Sequence, residues 1–512
     1  MRVAAIDIGS NSIRCTIVEV PVGGPRKTLD DEKAYTRLGR GLSETGRMDG
    51  RAIDESIEAL GRMLQIARQH EATHIRAVAT AAVRTATNAD EFLARAREEL
   101  GLEVEVISEE EEGRLAFLSA ADSVRLEGRS AVVDIGGGSL EIVKAVDRQI
   151  EFIASMPLGA VVLSERYHRE DPMPADDYDL LVKHVRRTIK HSLDNKTDPV
   201  GTLVGSGGAI TTAAALIAAE SDPGLLSLQS YVLRRADIVH LLAYLKRSSA
   251  AERTAMRGMP ENRVDIIVAG IVVLSEAMRA LGANEIVVNT RGIREGIVID
   301  IIERERGIAV PFDRLQSVRE FGHRCHADTA HAEQVRSLAL QLFDALQAPF
   351  DLDPGTRPLL EAAALLHDVG YLIAYERHHR HSYHLISYAE LPGFSPAEIR
   401  IIAACARYHR GTLPHAGHEA LRGLDQRERQ IVLSLGALLR FTDGLDRSRG
   451  QRVTSLRVTT TPGRLTVLVA GTPPLNVEIH GARRKTDLIE RTFGVVVDVD
   501  EARDEVASGC TR

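Results

Sequence analysis

Tryptophan is absent from the 512 residues, and aromatic residues make up only 4%. This excludes a carbohydrate cleft floored by indole rings and nucleic-acid binding that relies on many stacked bases. Cysteine is scarce. Cys15, Cys325, Cys405 and Cys510 are too dispersed for a zinc knuckle and too few for a disulfide framework. They read as incidental thiols of a reducing cytosol, so a cytoplasmic protein is expected. No run reaches the ~20 apolar residues that span a bilayer. The nearest, Val264 to Leu281, contains Asp265, Glu276 and Arg279 and reads as a core helix. The apolar run after Met1-Arg2 is only Val3-Ala4-Ala5-Ile6, too short for a signal-peptide core. An excess of basic charge is also missing: 64 Lys and Arg face 72 Asp and Glu, a net charge of −8. No generic nucleic-acid or membrane-surface coat fits that balance. What remains, with 44% hydrophobic and 27% charged residues, is an ordinary globular composition.

Strands alternate with helices through the first part of the chain, which argues for an α/β fold. Val3–Ile8 and Ile13–Val20 flank a polar turn, followed by a helix over 51–69 and a short strand over 75–80. A helix over 89–100, a strand over 104–107 and an acid-rich helix start at Glu109 complete a first lobe, residues 1–125. The pattern then restarts. Strands over 130–135, 140–146 and 149–156 lead into helices, a strand over 202–205 and a last strand over 285–289, giving a second lobe, residues 126–306. From 312 to 450 the pattern is helical, and eleven of the 18 histidines fall between His323 and His418. Strands are expected over 455–459, 464–469, 475–480 and 493–499, in a small C-terminal domain, residues 451–512.

The most informative feature is internal. Asp7-Ile8-Gly9-Ser10-Asn11-Ser12 and Asp134-Ile135-Gly136-Gly137-Gly138-Ser139 share the pattern Asp-Ile-Gly-x-x-Ser, each between two apolar strands. Glycine lets the backbone turn sharply and approach a ligand. Successive N–H groups and serine hydroxyls form a nest for phosphate oxygens. An Asp at the end of the first strand can hold Mg²⁺ beside them. One such hairpin alone could be an ordinary turn; two copies in matching contexts point to a phosphate cleft with one hairpin on each side. A third turn, Gly205-Ser206-Gly207-Gly208, lies between an apolar strand and an Ala-rich helix. In this context it reads as a further contact to the ligand. Phosphoryl transfer to water needs a positioned nucleophile, and a carboxylate can orient or deprotonate it. The candidates are Glu109 to Glu112 and Glu141. By spacing alone the Glu run reads as a solvated helix start that complements the helix dipole.

These segments, with Ala79 through Asn88, Ile107 through Leu115, Gly205–Gly208 and Arg291-Gly292-Ile293-Arg294-Glu295-Gly296, resemble one family. It is the exopolyphosphatase and guanosine pentaphosphate phosphohydrolase family (Ppx/GppA). Its fold is a two-lobed actin-like, sugar-kinase-like (ribonuclease H-like) core. The resemblance covers the first ~300 residues in order. It departs from the family pattern at Glu109, where Gly is usual, and at Leu140, where Thr is usual. It implies that Glu112 activates the attacking water, with Glu141 beside it, and that Asp7, Asp134 and Glu141 hold Mg²⁺ or Mn²⁺. Ser10, Asn11, Ser12, Arg14 and Gly136 to Ser139 would bind phosphate, and Arg84 would clamp the terminal group. Taken alone, Arg14 and Arg84 read equally as surface arginines. The implied activity is exopolyphosphatase: release of orthophosphate from the end of inorganic polyphosphate. The alternative is removal of the 5′-terminal phosphate of guanosine pentaphosphate, or both. A homodimer is expected on the resemblance alone. A kinase of the same fold fits less well, because the Glu112–Glu141 pair suits water activation. A non-catalytic nucleotide sensor conflicts with intact Asp7, Glu112, Asp134 and Glu141.

In the helical segment, His331, His367-Asp368 and Asp443 follow the metal-ligand order of HD-type phosphohydrolases, and the segment resembles that HD-like domain to about residue 450. Imidazole with carboxylate suits Mn²⁺, Fe or Zn²⁺. A structural or substrate-guiding segment is expected there in preference to a second working hydrolase, because fold analogy does not carry function. His378-His379-Arg380-His381 with His384, and Arg407-Tyr408-His409-Arg410, read as polyanion contacts. Residues 371–460 hold 13 Lys or Arg against 8 Asp or Glu, so a polyanion could be led there despite the overall negative charge.

Overall fold

The computed structural model describes residues 1–21, 26–193, 199–222, 224–307 and 312–502. They form two compact units, Met1–Arg314 and Leu315–Arg512. Cys15, Cys325 and Cys405 are buried free thiols; Cys510 lies outside the described residues. Among the described residues, no helix is long and apolar enough to cross a membrane.

The first unit is α/β and built twice on one plan. Its first sheet comprises β1 (Arg2–Ile8), β2 (Ile13–Glu19), β3 (Lys27–Ala34), β4 (His74–Ala79) and β5 (Val104–Val106), in the order β3-β2-β1-β4-β5. The second comprises β6 (Arg129–Ile135), β7 (Leu140–Val146), β8 (Gln149–Met156), β9 (Thr202–Ser206), β10 (Val232–Arg234) and β11 (Glu285–Val288), in the order β10-β11-β9-β6-β7-β8. Apart from the added edge strand β10, the orders are the same. In each sheet the first two strands form an antiparallel hairpin, and the first also pairs in parallel with the strand after the next helices. Continuous apolar runs make these inner strands. Val3 to Ile6 and Ala131 to Val133 are buried, as expected for strands covered on both faces. The helix Gly50–Gln69 covers the first sheet with Ile53, Ile57, Leu60 and Leu64, a stripe of helical period. Its N-cap Asp49 accepts from the amides of Arg51 and Ala52.

β3 was not expected from the sequence. Its Lys-Thr-Leu-Asp-Asp-Glu-Lys-Ala lacks alternation, but it lies at a sheet edge, where charges are favoured because they discourage further pairing.

The second unit packs helices, among them Thr329–Leu346, Arg357–Leu366, His378–Ser387, Pro396–Tyr408 and Gln426–Gly444, on one core with a small sheet. That sheet contains β12 (Val453–Thr461), β13 (Arg464–Gly471) and β14 (Val496–Glu501), with β13 and β14 parallel. The strand expected over 475–480 is instead part of the helix Asn476–Arg483. The alternation Leu475-x-Val477-x-Ile479 suggests a strand, yet the chain must cross back to bring β14 parallel to β13, and such a crossover is usually helical. Val477 is exposed, while Glu478, Ile479, Gly481 and Ala482 are buried on one helical face.

Candidate active site

Within the first unit, the two duplicated turns line one cleft of about 130 Å³. Each turn is closed by a hydrogen bond from its first glycine: Gly9 N donates to Ser12 O at 3.1 Å and Gly136 N to Ser139 O at 3.0 Å. The second turn needs its glycines. A Cβ on Gly138 would lie 2.8 Å from both Ala81 Cβ and Ser10 Oγ, and one on Gly137 would lie 3.2 Å from Ser10 Cβ. The side chains of the first turn thus fill the space that side chains on the second would need. The second turn is also fastened from behind. Gly136 O, Gly137 O and Gly138 O accept from Ala160 N, Val161 N and Gly159 N at 3.0–3.1 Å.

The register sets the charges. Asp7 stands opposite Arg14 across β1 and β2, and Asp134 opposite Glu141 across β6 and β7. All four line the cleft, together with Glu112. Glu112 is buried in the first turn of the helix Glu109–Ser123, whose N-cap Ser108 accepts from Glu111 N. Glu109 and Glu110 are exposed and Glu111 pairs with Arg76 and Arg114. Burial raises the Glu112 pKa to about 7, against the pull of Arg84, with Asp7 and Asp134 pushing it further up. Burial likewise raises Asp7 to about 6, opposed by Arg14 and Arg294. Asp134 is shifted upward by burial, and Glu141 strongly so, by burial and then by Glu112 and Asp134. Ser155 donates to Glu141 at 2.9 Å. Asp7 Oδ1 is buried with no hydrogen-bond partner among the described residues. A set of crowded carboxylates with an orphaned oxygen is a hard-donor environment that a Mg²⁺ ion fits.

Ser10, Asn11, Ser12 and Gly136 to Ser139 line the cleft, as do Gly207 and Gly208. Gly205 and Ser206 do not. They belong to β9, where Gly205 makes room for Ile286 and Ile210, and Ser206 is in register with Asp134. Gly207 has φ +97°, and a Cβ there would strike Ile135 O at 2.3 Å. Arg84 is also not in the lining. Its guanidinium donates to Glu112 Oε2 at 3.0 Å and to Ile107 O at 2.9 Å, so in this structure it neutralises Glu112.

Sequence reasoning missed Arg263 and Thr211 in the lining. Arg263 is buried against Gly208, and burial with the nearby Arg14 lowers its pKa to about 10. Nothing in Pro260-Glu261-Asn262-Arg263 marks it, since an arginine beside a helix start is by default exposed.

In the second unit, His331, His367, Asp368 and Asp443 converge. His331 Nε2 lies 3.3 Å from His367 Nε2, 3.4 Å from Asp443 Oδ1 and 3.7 Å from Asp368 Oδ2. His378 and His409, read from the sequence as polyanion contacts, are buried in the same cluster, with Asp368 Oδ1 at 3.3 and 3.6 Å. They escaped notice as ligands because their spacing from His367 follows no short motif.

The chain matches the model of the Ppx/GppA phosphatase family over residues 16–305 and that of Ppx/GppA phosphatase, domain III, over 314–468. It is 29% identical over 412 residues to a guanosine-5′-triphosphate,3′-diphosphate pyrophosphatase of Photobacterium profundum, covering 80% of each chain. A protein of the same name from Pseudoalteromonas translucida is 28% identical, with 82% of each chain covered. Among solved structures, the Aquifex aeolicus Ppx/GppA family member is 34% identical with a TM-score of 0.53, covering 60% of this chain and 98% of that one. An exopolyphosphatase from Cytophaga hutchinsonii is 27% identical with a TM-score of 0.55, covering 61% and 100%. The duplicated Asp-Ile-Gly-x-x-Ser turns, the doubled sheet order and the family matches agree: the chain belongs to the Ppx/GppA phosphatase family.

Proposed function

We propose that the cleft hydrolyses the terminal phosphoanhydride of inorganic polyphosphate, releasing orthophosphate. The observation that carries this reading is the lining itself. Hydroxyls, glycine backbone, arginines and carboxylates surround the cleft, and no aromatic side chain is among the described lining residues. Such a lining recognises phosphate by charge and hydrogen bonding and offers no ring on which to stack a base. Ser10, Asn11, Ser12 and the glycine turn hold phosphate oxygens, with Arg14 and Arg263 supplying positive charge. Glu112 accepts the proton of the attacking water, a task suited by a pKa near neutrality. Arg84 keeps Glu112 oriented, and Ser155 orients Glu141. Mg²⁺ or Mn²⁺ held by Asp7, Asp134 and Glu141 supplies charge neutralisation at the phosphoryl group when bound. Removal of the 5′-terminal phosphate of guanosine pentaphosphate is the second reading, favoured by the names of the two pyrophosphatase relatives. Both substrates present a terminal phosphoanhydride.

The deciding experiment measures orthophosphate release from long-chain polyphosphate and from guanosine pentaphosphate, with Mg²⁺ and then Mn²⁺. The first reading expects a higher kcat/KM for polyphosphate. A clear preference for guanosine pentaphosphate replaces it with the second.

A further inference from the structure

Glu112 is the last of four successive glutamates that open one helix, and only it lines the cleft. We infer that Asp300, a buried residue of the helix Ile293–Arg306, is a positioning residue for Glu112: through Arg114 and Arg76 it fixes the rotation and height of the helix that carries Glu112. This role depends on the proposed one for Glu112, activation of the attacking water. Neither Asp300 nor Arg114, Arg76 or Glu111 is among the described residues that line the cleft, so the effect must pass through the helix.

Successive residues of a helix point about 100° apart. A modest rotation of the helix Glu109–Ser123 would therefore present Glu111 in place of Glu112. Apolar packing resists such a rotation only weakly, because it is non-directional. The helices Glu109–Ser123 and Ile293–Arg306 share one apolar cluster through Leu115, Ile297 and Ile302. They approach closely, since a Cβ on Gly296 would strike Leu115 O. One turn further, at Asp300, the contact becomes directional. Arg114 donates to both oxygens of Glu111 at 2.7 and 2.9 Å, and to Asp300 Oδ1 at 2.6 Å. Asp300 Oδ2 accepts from Arg76 of β4 at 2.7 Å and pairs with Arg304 at 2.8 Å. Arg76 also reaches Glu105 of β5 at 3.0 Å and Glu111 at 3.4 Å. Three guanidinium groups thus meet three carboxylates, and Asp300 alone touches all three arginines.

Such a network is an inefficient source of stability, because its charged groups lose hydration on burial. What it supplies is direction, since paired guanidinium and carboxylate groups hold a fixed geometry. It keeps Glu111 away from the cleft, while Arg84 holds Glu112 Oε2 at 3.0 Å. Arg76 and Arg84 come from one stretch of chain, β4 and the short helix Ala81–Thr85 that follows it. The two neighbouring glutamates are driven apart in character as well. The Arg114 bonds hold the Glu111 carboxyl below its ordinary value, whereas burial raises that of Glu112. One turn of helix therefore provides an ionised anchor and, beside it, a base.

The test is a double-mutant cycle on the full chain, assayed with whichever of polyphosphate and guanosine pentaphosphate turns over faster. Asp300→Asn keeps the size of the side chain and removes its charge. It should lower kcat roughly 10- to 100-fold, the scale of a misplacement of about 1 Å, with KM changed less than about twofold. Arg114→Gln cuts the same link from the other helix and should act alike. In the Glu112→Gln background both losses should shrink below about threefold, because positioning a group that no longer works gains nothing. A network that only braces the fold would cause the same loss in both backgrounds. Unchanged kcat in the two variants, or a loss that persists undiminished without Glu112, overturns the inference while leaving the reading of Glu112 intact. Failure of both variants to fold, read by circular dichroism, assigns the network to stability and also overturns it. Near-normal turnover by Glu112→Gln itself overturns the reading of Glu112, and the role of Asp300 with it.

Discussion

The two hairpins of the first unit have the same length, the same opening Asp-Ile-Gly and the same closing hydrogen bond, yet end differently. The position opposite the aspartate is Arg14 in one and Glu141 in the other. One scaffold therefore delivers a positive charge to the cleft from the first lobe and a carboxylate from the second. The turns differ in the same sense. Ser10-Asn11 carries side chains that can bond to phosphate, whereas Gly137-Gly138 has surrendered its side chains to make room for them. Duplication supplies the frame, and under the proposed function divergence at a few positions divides the two hairpins into a binding side and a reacting side.

This division can be broken experimentally. The largest effect is expected at Glu112, a first-lobe carboxylate that reaches the cleft from outside the two hairpins. Glu112→Gln should lower kcat by about 10³-fold while leaving KM for polyphosphate nearly unchanged; near-normal turnover would remove Glu112 from the chemistry. Arg14→Ala on the binding side should show the opposite signature in steady-state kinetics, KM rising roughly 10- to 100-fold with a smaller change in kcat. Packing offers a third contrast. Gly138→Ala should cost about 1–3 kcal/mol in urea unfolding, because its methyl meets Ala81 and Ser10 at 2.8 Å. Gly9→Ala, whose Cβ meets only Ser12 O at 3.3 Å, should cost less; equal costs would contradict the asymmetry of the turns. The smallest effect concerns Asp7. Burial holds its folded pKa at about 6, above the ordinary aspartate value of 3.8. The unfolded chain therefore releases this proton first, and the contribution to stability declines as pH rises from about 4 to about 6. Without divalent cation, Asp7→Asn should raise Tm modestly at pH 8 and hardly at all below pH 4. Mg²⁺ should stabilise the parent more at pH 8 than at pH 5, read by differential scanning calorimetry.

Much of the fold was legible because its signals are local. The strands β1, β6 and β7 are apolar runs with sharp polar ends, and the two turns repeat letter for letter in their key positions. β3 was not legible, since its charged residues become a strand only by completing a sheet edge. The helix Asn476–Arg483 misled for a related reason: its alternation is a local signal, overruled by the direction in which the chain must return. At the site, Asp7, Asp134 and Glu141 announced themselves through position relative to the turns, whereas Glu112 stood out from its Glu run only through the family resemblance. Arg263 did not, because its place over Gly208 depends on a distant segment folding back. The same holds for His378 and His409, whose meeting at Asp368 is a property of helix packing rather than of spacing along the chain.

The fastening of the second turn from behind has a consequence for selectivity. Its three glycine carbonyls are committed to the start of the helix Ala160–Tyr167. A main-chain oxygen turned into the cleft would repel a phosphate oxygen and welcome a stray monovalent cation. With those oxygens bonded within the protein, the turn would, under the proposed function, act as a sign filter written in the backbone, and exchanging side chains elsewhere in the cleft would leave that filter in place.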